Sequence, residues 1–173
     1  MNGPAAIWEQ AADKWSDVAS QIGDDQWDNA TPCEEWNVRE LVDHCMYWQA
    51  MGAQMVGAEA QPGDDWETVI RPKLAAALND PANLEGTVPE FGDMPKHAMV
   101  GILIGDLLIH SWDLARSIGA DETLPPAAVE ATMMGLSRMP EDQMRNGMFG
   151  PAVEVPDDAS AQDKLIGFVG RQP

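Results

Sequence analysis

Hydrophobic residues recur at alternating intervals of three and four along most of this 173-residue chain, which is the spacing of one face of an α-helix. The first such face predicts a helix over Pro4–Ile22, which Gly23 and Asp24 end. Its apolar side consists of Trp8, Ala11, Trp15, Val18 and Ile22. We therefore expect this N-terminal segment to bury one side against other helices.

The second predicted helix, Asn37–Val56, carries a histidine among its apolar positions. Asn37 and Glu40 have the spacing of a capping box, and Thr31 begins a similar pattern just before them, so a short turn is expected to lead into the helix. The expected inward face consists of Leu41, His44, Trp48, Met51 and Met55. His44 is the residue on this face that packing alone does not explain.

The remainder of the chain repeats the helical spacing between turn residues. Pro72 is expected to kink the third helix or delay its start. Residues Asn146–Val155 are expected to form a short strand-like segment in an irregular C-terminal tail. The other predicted helices are Trp66–Leu78, Lys96–Ile118, Pro125–Met139 and a short one over Gln162–Val169. We predict an all-α bundle of four or five long helices with additional short ones, forming one domain over residues 1–173.

The net charge limits the partners that we expect, and the cysteine content indicates the compartment. Lys and Arg number 10 against 29 Asp and Glu, which gives a formal net charge of −19. Such a field repels phosphate backbones and anionic lipids, so neither nucleic acid nor a membrane is expected as a partner. We see no basic leader and no run of about 18 apolar residues. Cys33 and Cys45 form no disulfide framework, so a reduced, cytoplasmic protein is expected, and a homodimer stays open.

Three residues on two predicted helices could bind one metal ion. Asp106 and His110 lie four residues apart, on one helix face and one turn apart along the axis. His44 supplies a third donor from another inward face. Two imidazoles and a carboxylate leave coordination positions open, which is typical of reactive metal sites. These ligands suit zinc best, with nickel, iron or manganese as alternatives.

The same residues have an interpretation without a metal. A core histidine is commonly a hydrogen-bonded packing residue, and Asp106 could be the ion-pair partner of His110. However, an unpaired carboxylate within LIGDLLIHSW is costly to bury, and a cation would relieve that cost. Spacing alone leaves both interpretations open.

Of four further polar or thiol side chains, Asp113 and Cys33 could have supporting roles, whereas His97 and Cys45 are not expected to. Asp113 lies seven residues after Asp106, where it could accept a hydrogen bond from a ligand histidine or simply be a helix-end carboxylate. His97 lies about 180° away on the same helix and is expected at the surface or at a cap. Cys33 follows a predicted helix start, where the dipole favours a thiolate, but the sequence shows no base beside it. Cys45 is expected to be a small core residue.

Three segments, in chain order, resemble the metal-binding family related to the N-terminal domain of mycothiol-dependent maleylpyruvate isomerase, within the DinB-like superfamily. They are WDNATPCEEWNVRELVDH, GDLLIHSWDLARSIGADETL and MFGPAVEVPDDASAQDKLIGFVGRQP. The resemblance implies a four-helix bundle with a metal held by His44, Asp106 and His110, with Asp106 where the isomerase has Glu. The isomerase has a second, C-terminal domain that this chain is expected to lack, so its particular substrate is not implied.

Three functional hypotheses follow. The leading one is a thiol-dependent transferase or cis–trans isomerase, in which the metal coordinates a low-molecular-weight thiol such as mycothiol that then reacts with a small electrophile. His44, Asp106 and His110 would be ligands in it, not acid–base groups. A hydrolase would activate water at the same metal, with Asp113 as the one candidate base. A non-catalytic module would use the ion to tie two helices together or to sense metal.

Overall fold

Most of the chain is α-helical in the computed structural model, which describes residues 3–145 and 147–173. This confirms the predicted all-α, DinB-like fold. Two very short antiparallel strands, β1 (Thr87–Val88) and β2 (Met94–Pro95), lie in the connection before the fourth helix. The helices are α1 Pro4–Ala19, α2 Val38–Met55, α3 Arg71–Leu78, α4 Lys96–Ile118, α5 Pro126–Leu136, α6 Glu141–Arg145 and α7 Ala161–Phe168.

The fourth helix, α4, is the central element of the bundle and contacts α1, α2 and α5. By length and apolar composition α4 could cross a membrane, although no such segment was expected from the sequence. However, 78% of its most apolar window is buried inside the protein. Its hydrophobicity is therefore that of a core helix. Its bounds are those predicted, and Gly119 ends it with φ +72°, the left-handed conformation typical of a helix C-terminus.

The second helix, α2, begins at the predicted capping box, but its buried face is not the predicted one. The Asn37 side chain accepts from Glu40 N at 3.0 Å, and the Glu40 carboxylate accepts from Asn37 N at 2.9 Å. The buried residues of α2 are Val38, Leu41, Cys45, Gln49, Ala50, Gly52 and Ala53. Small residues prevail on this face because α2 approaches α4 closely. The larger His44 and Trp48 are only partly buried and line a cleft instead.

The segment before α2 forms the expected short turn, although no helix starts at Thr31. The Thr31 hydroxyl accepts from Cys33 N at 3.1 Å and donates to the Trp36 carbonyl at 2.7 Å. Threonine side chains form such local turns as readily as helix caps, and the Thr31 side chain stabilises a loop here. This loop holds Cys33 and Trp36 beside the candidate site.

Other boundaries differ in ways that proline and local hydrogen bonding explain. The third predicted helix is split into a π-helical turn, Trp66–Ile70, and α3, which has Pro72 in its first turn as anticipated. The helix α6 was not predicted, and neither was the small sheet. Residues 147–155 form no strand, so that expectation is wrong there; Asn146, its first residue, lies outside the described residues.

Candidate metal site

The three predicted ligands lie together where α2 packs against α4. His44 Nε2 is 3.0 Å from Asp106 Oδ1, and His110 Nε2 is 3.5 Å from the same oxygen. One donor atom from each residue lies within 4.8 Å of the donors of the other two. The structure therefore provides a group that could hold a metal ion. Their role as metal ligands stays a prediction.

The second carboxylate oxygen of Asp106 shows how well this group fits a cation. Among the described residues, Asp106 Oδ2 has no hydrogen-bond partner, and it is buried from solvent. Leaving such an oxygen unpaired in the interior is costly. A divalent ion bound by two imidazole nitrogens and this carboxylate would remove that cost. The chemistry of the donor set is thus compatible with zinc or a similar metal.

Without a bound ion, burial and charge pairing shift the pKa values of Asp106 and His110. Burial disfavours the charged form of Asp106, but His110 and His44 outweigh it and lower the pKa of that carboxyl to about 2. Burial likewise opposes protonation of His110, yet the charge of Asp106 raises the pKa of this imidazole well above its ordinary value. A proton on His110 therefore supplies positive charge beside Asp106, as a bound cation would.

Asp113 lies within hydrogen-bond distance of His110, as in the first of the two roles that the sequence left open for it. Its Oδ2 is 2.9 Å from His110 Nδ1, and its side chain is fully buried. Burial raises the pKa of Asp113, but hydrogen bonds from His110 and Arg171 outweigh it and lower that pKa below its ordinary value. Hydrogen bonds of this kind orient metal-ligating histidines and fix which ring nitrogen is free. Arg171 was not identified from the sequence.

Two residues of the loop before α2 complete the surroundings. The Trp36 ring lies over both histidines, with centroid distances of 4.4 Å to His44 and 5.8 Å to His110. Cys33 Sγ lies 3.4 Å from Asp113 Oδ2 and 3.9 Å from His110 Nδ1. The sequence showed no base near Cys33, and the fold brings these two to it.

The remaining candidates lie outside the group. His97 is exposed, as expected, and forms part of the cleft wall rather than of the three-residue cluster. Cys45 is fully buried in the core, as predicted, and burial raises the pKa of its thiol well above the ordinary value. Neither residue is placed to take part in metal binding.

The three candidate ligands open onto a cleft of about 1180 Å³. Known small-molecule pockets span roughly 300–1,000 Å³, so this cleft is large enough to hold a small molecule. Cys33 and Arg171 also line it. The apolar part of its wall includes Trp48, Ile102, Ile109, Leu136 and Phe149.

Residues 8–86 match the family described as mycothiol maleylpyruvate isomerase N-terminal domain. This segment of the chain is similar to that family. The match to the mycothiol maleylpyruvate isomerase N-terminal domain includes His44, whereas Asp106, His110 and Asp113 lie beyond it. The match confirms the suggested resemblance over residues 8–86, which contain the first of the three segments.

Two curated relatives match nearly the whole chain. They are Uncharacterized protein MT0763 of Mycobacterium tuberculosis strain CDC 1551 / Oshkosh and Uncharacterized protein Rv0738 of strain ATCC 25618 / H37Rv. Each is 23% identical over 177 residues, covering 97% of this chain and 97% of the relative. No solved structure gives a significant match.

Proposed function

We propose that this protein binds a divalent metal ion through His44, Asp106 and His110 and uses it to activate a low-molecular-weight thiol. The thiol, mycothiol or a similar one, would then be transferred to a small electrophile or catalyse its cis–trans isomerisation. The observation that carries the proposal is the meeting of three donors from two helices at a cleft, with one buried carboxylate oxygen left unpaired. The relation to a mycothiol-named domain supports the choice of thiol.

The surrounding residues have defined roles in this proposal. A bound divalent ion would favour the thiolate form of a coordinated thiol near neutral pH and so supply a strong nucleophile. Asp113 would hold the ring of His110, and Trp36 would hold that of His44 and shield the group from water. The apolar cleft wall would bind the carbon skeleton of the electrophile.

The hydrolytic alternative is less well supported by the geometry. Its one candidate base, Asp113, is fully buried and bonded to both His110 and Arg171. A general base must reach the water that it deprotonates, and this carboxylate faces protein groups instead. A non-catalytic metal-binding module is compatible with the same ligands and is separated from an enzyme only by measuring turnover.

Metal analysis is the first test. Protein purified without added metal and then dialysed against zinc should retain about one equivalent, and His44→Ala and Asp106→Asn should retain far less. His97→Ala is the matched control for metal content, because it removes an imidazole outside the group. Equal zinc content in all four proteins would overturn the proposed ligand set.

Turnover is the second test. The zinc-loaded protein is mixed with mycothiol and 1-chloro-2,4-dinitrobenzene, in which thiol sulfur displaces chloride, and separately with a cis-configured unsaturated carbonyl compound. We expect metal-dependent product formation with at least one of them, and none with His44→Ala. Zinc binding that neither changes thiol affinity nor supports either reaction would instead favour the non-catalytic module.

A further inference from the structure

Arg171, the third-last residue of the sequence, is largely buried and binds Asp113, the residue that contacts His110 of the candidate site. Arg171 Nε donates to Asp113 Oδ1 at 3.0 Å, and its Nη2 donates to Asp113 Oδ2 at 2.9 Å. The side chain of Arg171 is only 10% exposed and that of Asp113 is not exposed at all. Because Asp113 also contacts His110, a continuous hydrogen-bonded chain runs from Arg171 to the proposed ligands.

This two-point contact fixes both the charge and the plane of the Asp113 carboxylate. A guanidinium that binds both oxygens of a carboxylate restrains its rotation, which a single hydrogen bond does not. An ionised carboxylate without such a partner would be unfavourable at full burial. Held in this way, Asp113 can only accept the N–H of His110 Nδ1, so His110 Nε2 is directed toward Asp106.

Close packing of the C-terminal tail against the preceding segment fixes the position of Arg171. Gly170, immediately before it, has φ +83°, a conformation that favours glycine. A Cβ added at Gly167 would lie 2.7 Å from the carbonyl oxygen of Val153, so helix α7 and the preceding segment are in direct backbone contact. Arg145 fastens the same tail by donating to the carbonyls of Gly150 and Phe168.

We propose that Arg171 is a positioning residue of the metal site, which acts through Asp113 on the orientation of His110. The C-terminal tail is then part of the site, although it supplies no ligand. This inference rests on the proposed function in one respect, namely that His110 binds the metal. The predicted consequence is that metal affinity depends on a residue that is far from the proposed ligands in sequence.

Substitution at two arginines separates positioning from tail packing. Arg171→Met should lower zinc affinity, by at most the roughly 10- to 100-fold that loss of a direct partner of a metal-ligating histidine costs, because Arg171 acts through Asp113. Arg171→Lys should recover part of the loss, because it keeps the charge but not the two-point geometry. Arg145→Met is the matched control: it loosens the same tail without contacting Asp113, and should lower the melting temperature while leaving zinc affinity unchanged. Affinity is measured by competition with a chromophoric chelator.

Two further measurements give the inference its own readouts. The visible spectrum of cobalt-loaded Arg171→Met at saturating cobalt should differ from wild type, because the geometry of a ligand has changed. Asp113→Asn should weaken zinc binding similarly, and the double variant should be no weaker than the worse single one, since both act through one contact. Additive losses, or an unchanged affinity and spectrum in Arg171→Met, would overturn the positioning role.

Failure of the proposed function would be recognised separately. If wild-type protein binds neither zinc nor cobalt, the metal proposal fails. The contact between His110 and Asp113 can still be tested through the His110 Nδ1–H signal in nitrogen-15 NMR. That proton should be protected from solvent exchange in wild type and in Arg145→Met, and exchange faster in Arg171→Met. Equal protection in all three proteins would show that Arg171 does not hold His110 through Asp113.

Discussion

Trp8 on α1 donates its indole N–H to the Gln49 side chain on α2 at 3.0 Å, and neither residue is exposed to solvent. Gln49 in turn donates to the Leu103 carbonyl on α4 at 3.1 Å. One buried amide therefore joins α1 to α2 and α4, the two helices that carry the proposed ligands. Buried polar groups of this kind are costly unless every partner is satisfied.

Replacing Gln49 with leucine should destabilise the protein although leucine is apolar. The change keeps a similar side-chain size but leaves the indole N–H of Trp8 buried without a partner, which costs about 1–3 kcal/mol. Urea unfolding measures the loss. The same substitution made together with Trp8→Phe should cost less than it does alone, because the donor is then absent; an equal cost in both backgrounds would contradict this explanation.

Gly52 should not tolerate even a methyl group. A Cβ at this position would lie 2.2 Å from Leu103 Cδ1, and Leu103 is itself buried on α4. Gly52→Ala should therefore cost about 1–3 kcal/mol through overpacking. Gly101→Ala is the control, since nothing lies within 4 Å of its added Cβ and alanine favours a helix. We expect Gly101→Ala to raise the melting temperature slightly and Gly52→Ala to lower it.

The fold was predictable wherever local and tertiary preferences agree. Helix α4 has the predicted bounds because an apolar helix, a glycine cap and burial on most sides all favour the same segment. The prediction of the buried face of α2 was wrong because it assigned mainly large residues to the core face. The core face instead includes several small residues that permit close helix packing, as the contact between Gly52 and Leu103 shows.

The candidate site was predictable only as far as helical spacing reaches. Asp106 and His110 share a turn, so periodicity alone pairs them, and His44 could be inferred from its place on a neighbouring helix. Arg171 could not, because the irregular tail before it carries no period that fixes its direction. Arg171 lies in the third segment that resembles the family, but that resemblance assigned it no role.

The start of the π-helical turn before α3 should respond to pH. Thr68 donates both its backbone N–H and its hydroxyl to Asp65 Oδ1, and these hydrogen bonds lower the pKa of that carboxyl. A depressed folded-state pKa means that the stabilisation is present above about pH 4, the ordinary value, and disappears as pH falls through the folded-state pKa. Asp65→Asn can still accept hydrogen bonds but carries no charge. The melting temperature of wild type should therefore exceed that of Asp65→Asn at pH 7, with the difference shrinking below pH 4; a constant difference would contradict the assignment.

Metal removal should loosen the contact between α2 and α4. An ion that binds only the folded protein stabilises it by about 2.7 kcal/mol at a free concentration of 100 times its dissociation constant. For a chain of this length, that corresponds to a fall of about 5–10 °C in melting temperature when EDTA removes zinc. His44→Ala, which lacks the ligand from α2, should show little difference with and without EDTA. His97→Ala should behave as wild type, and an equal EDTA effect in His44→Ala would place the metal elsewhere in the protein.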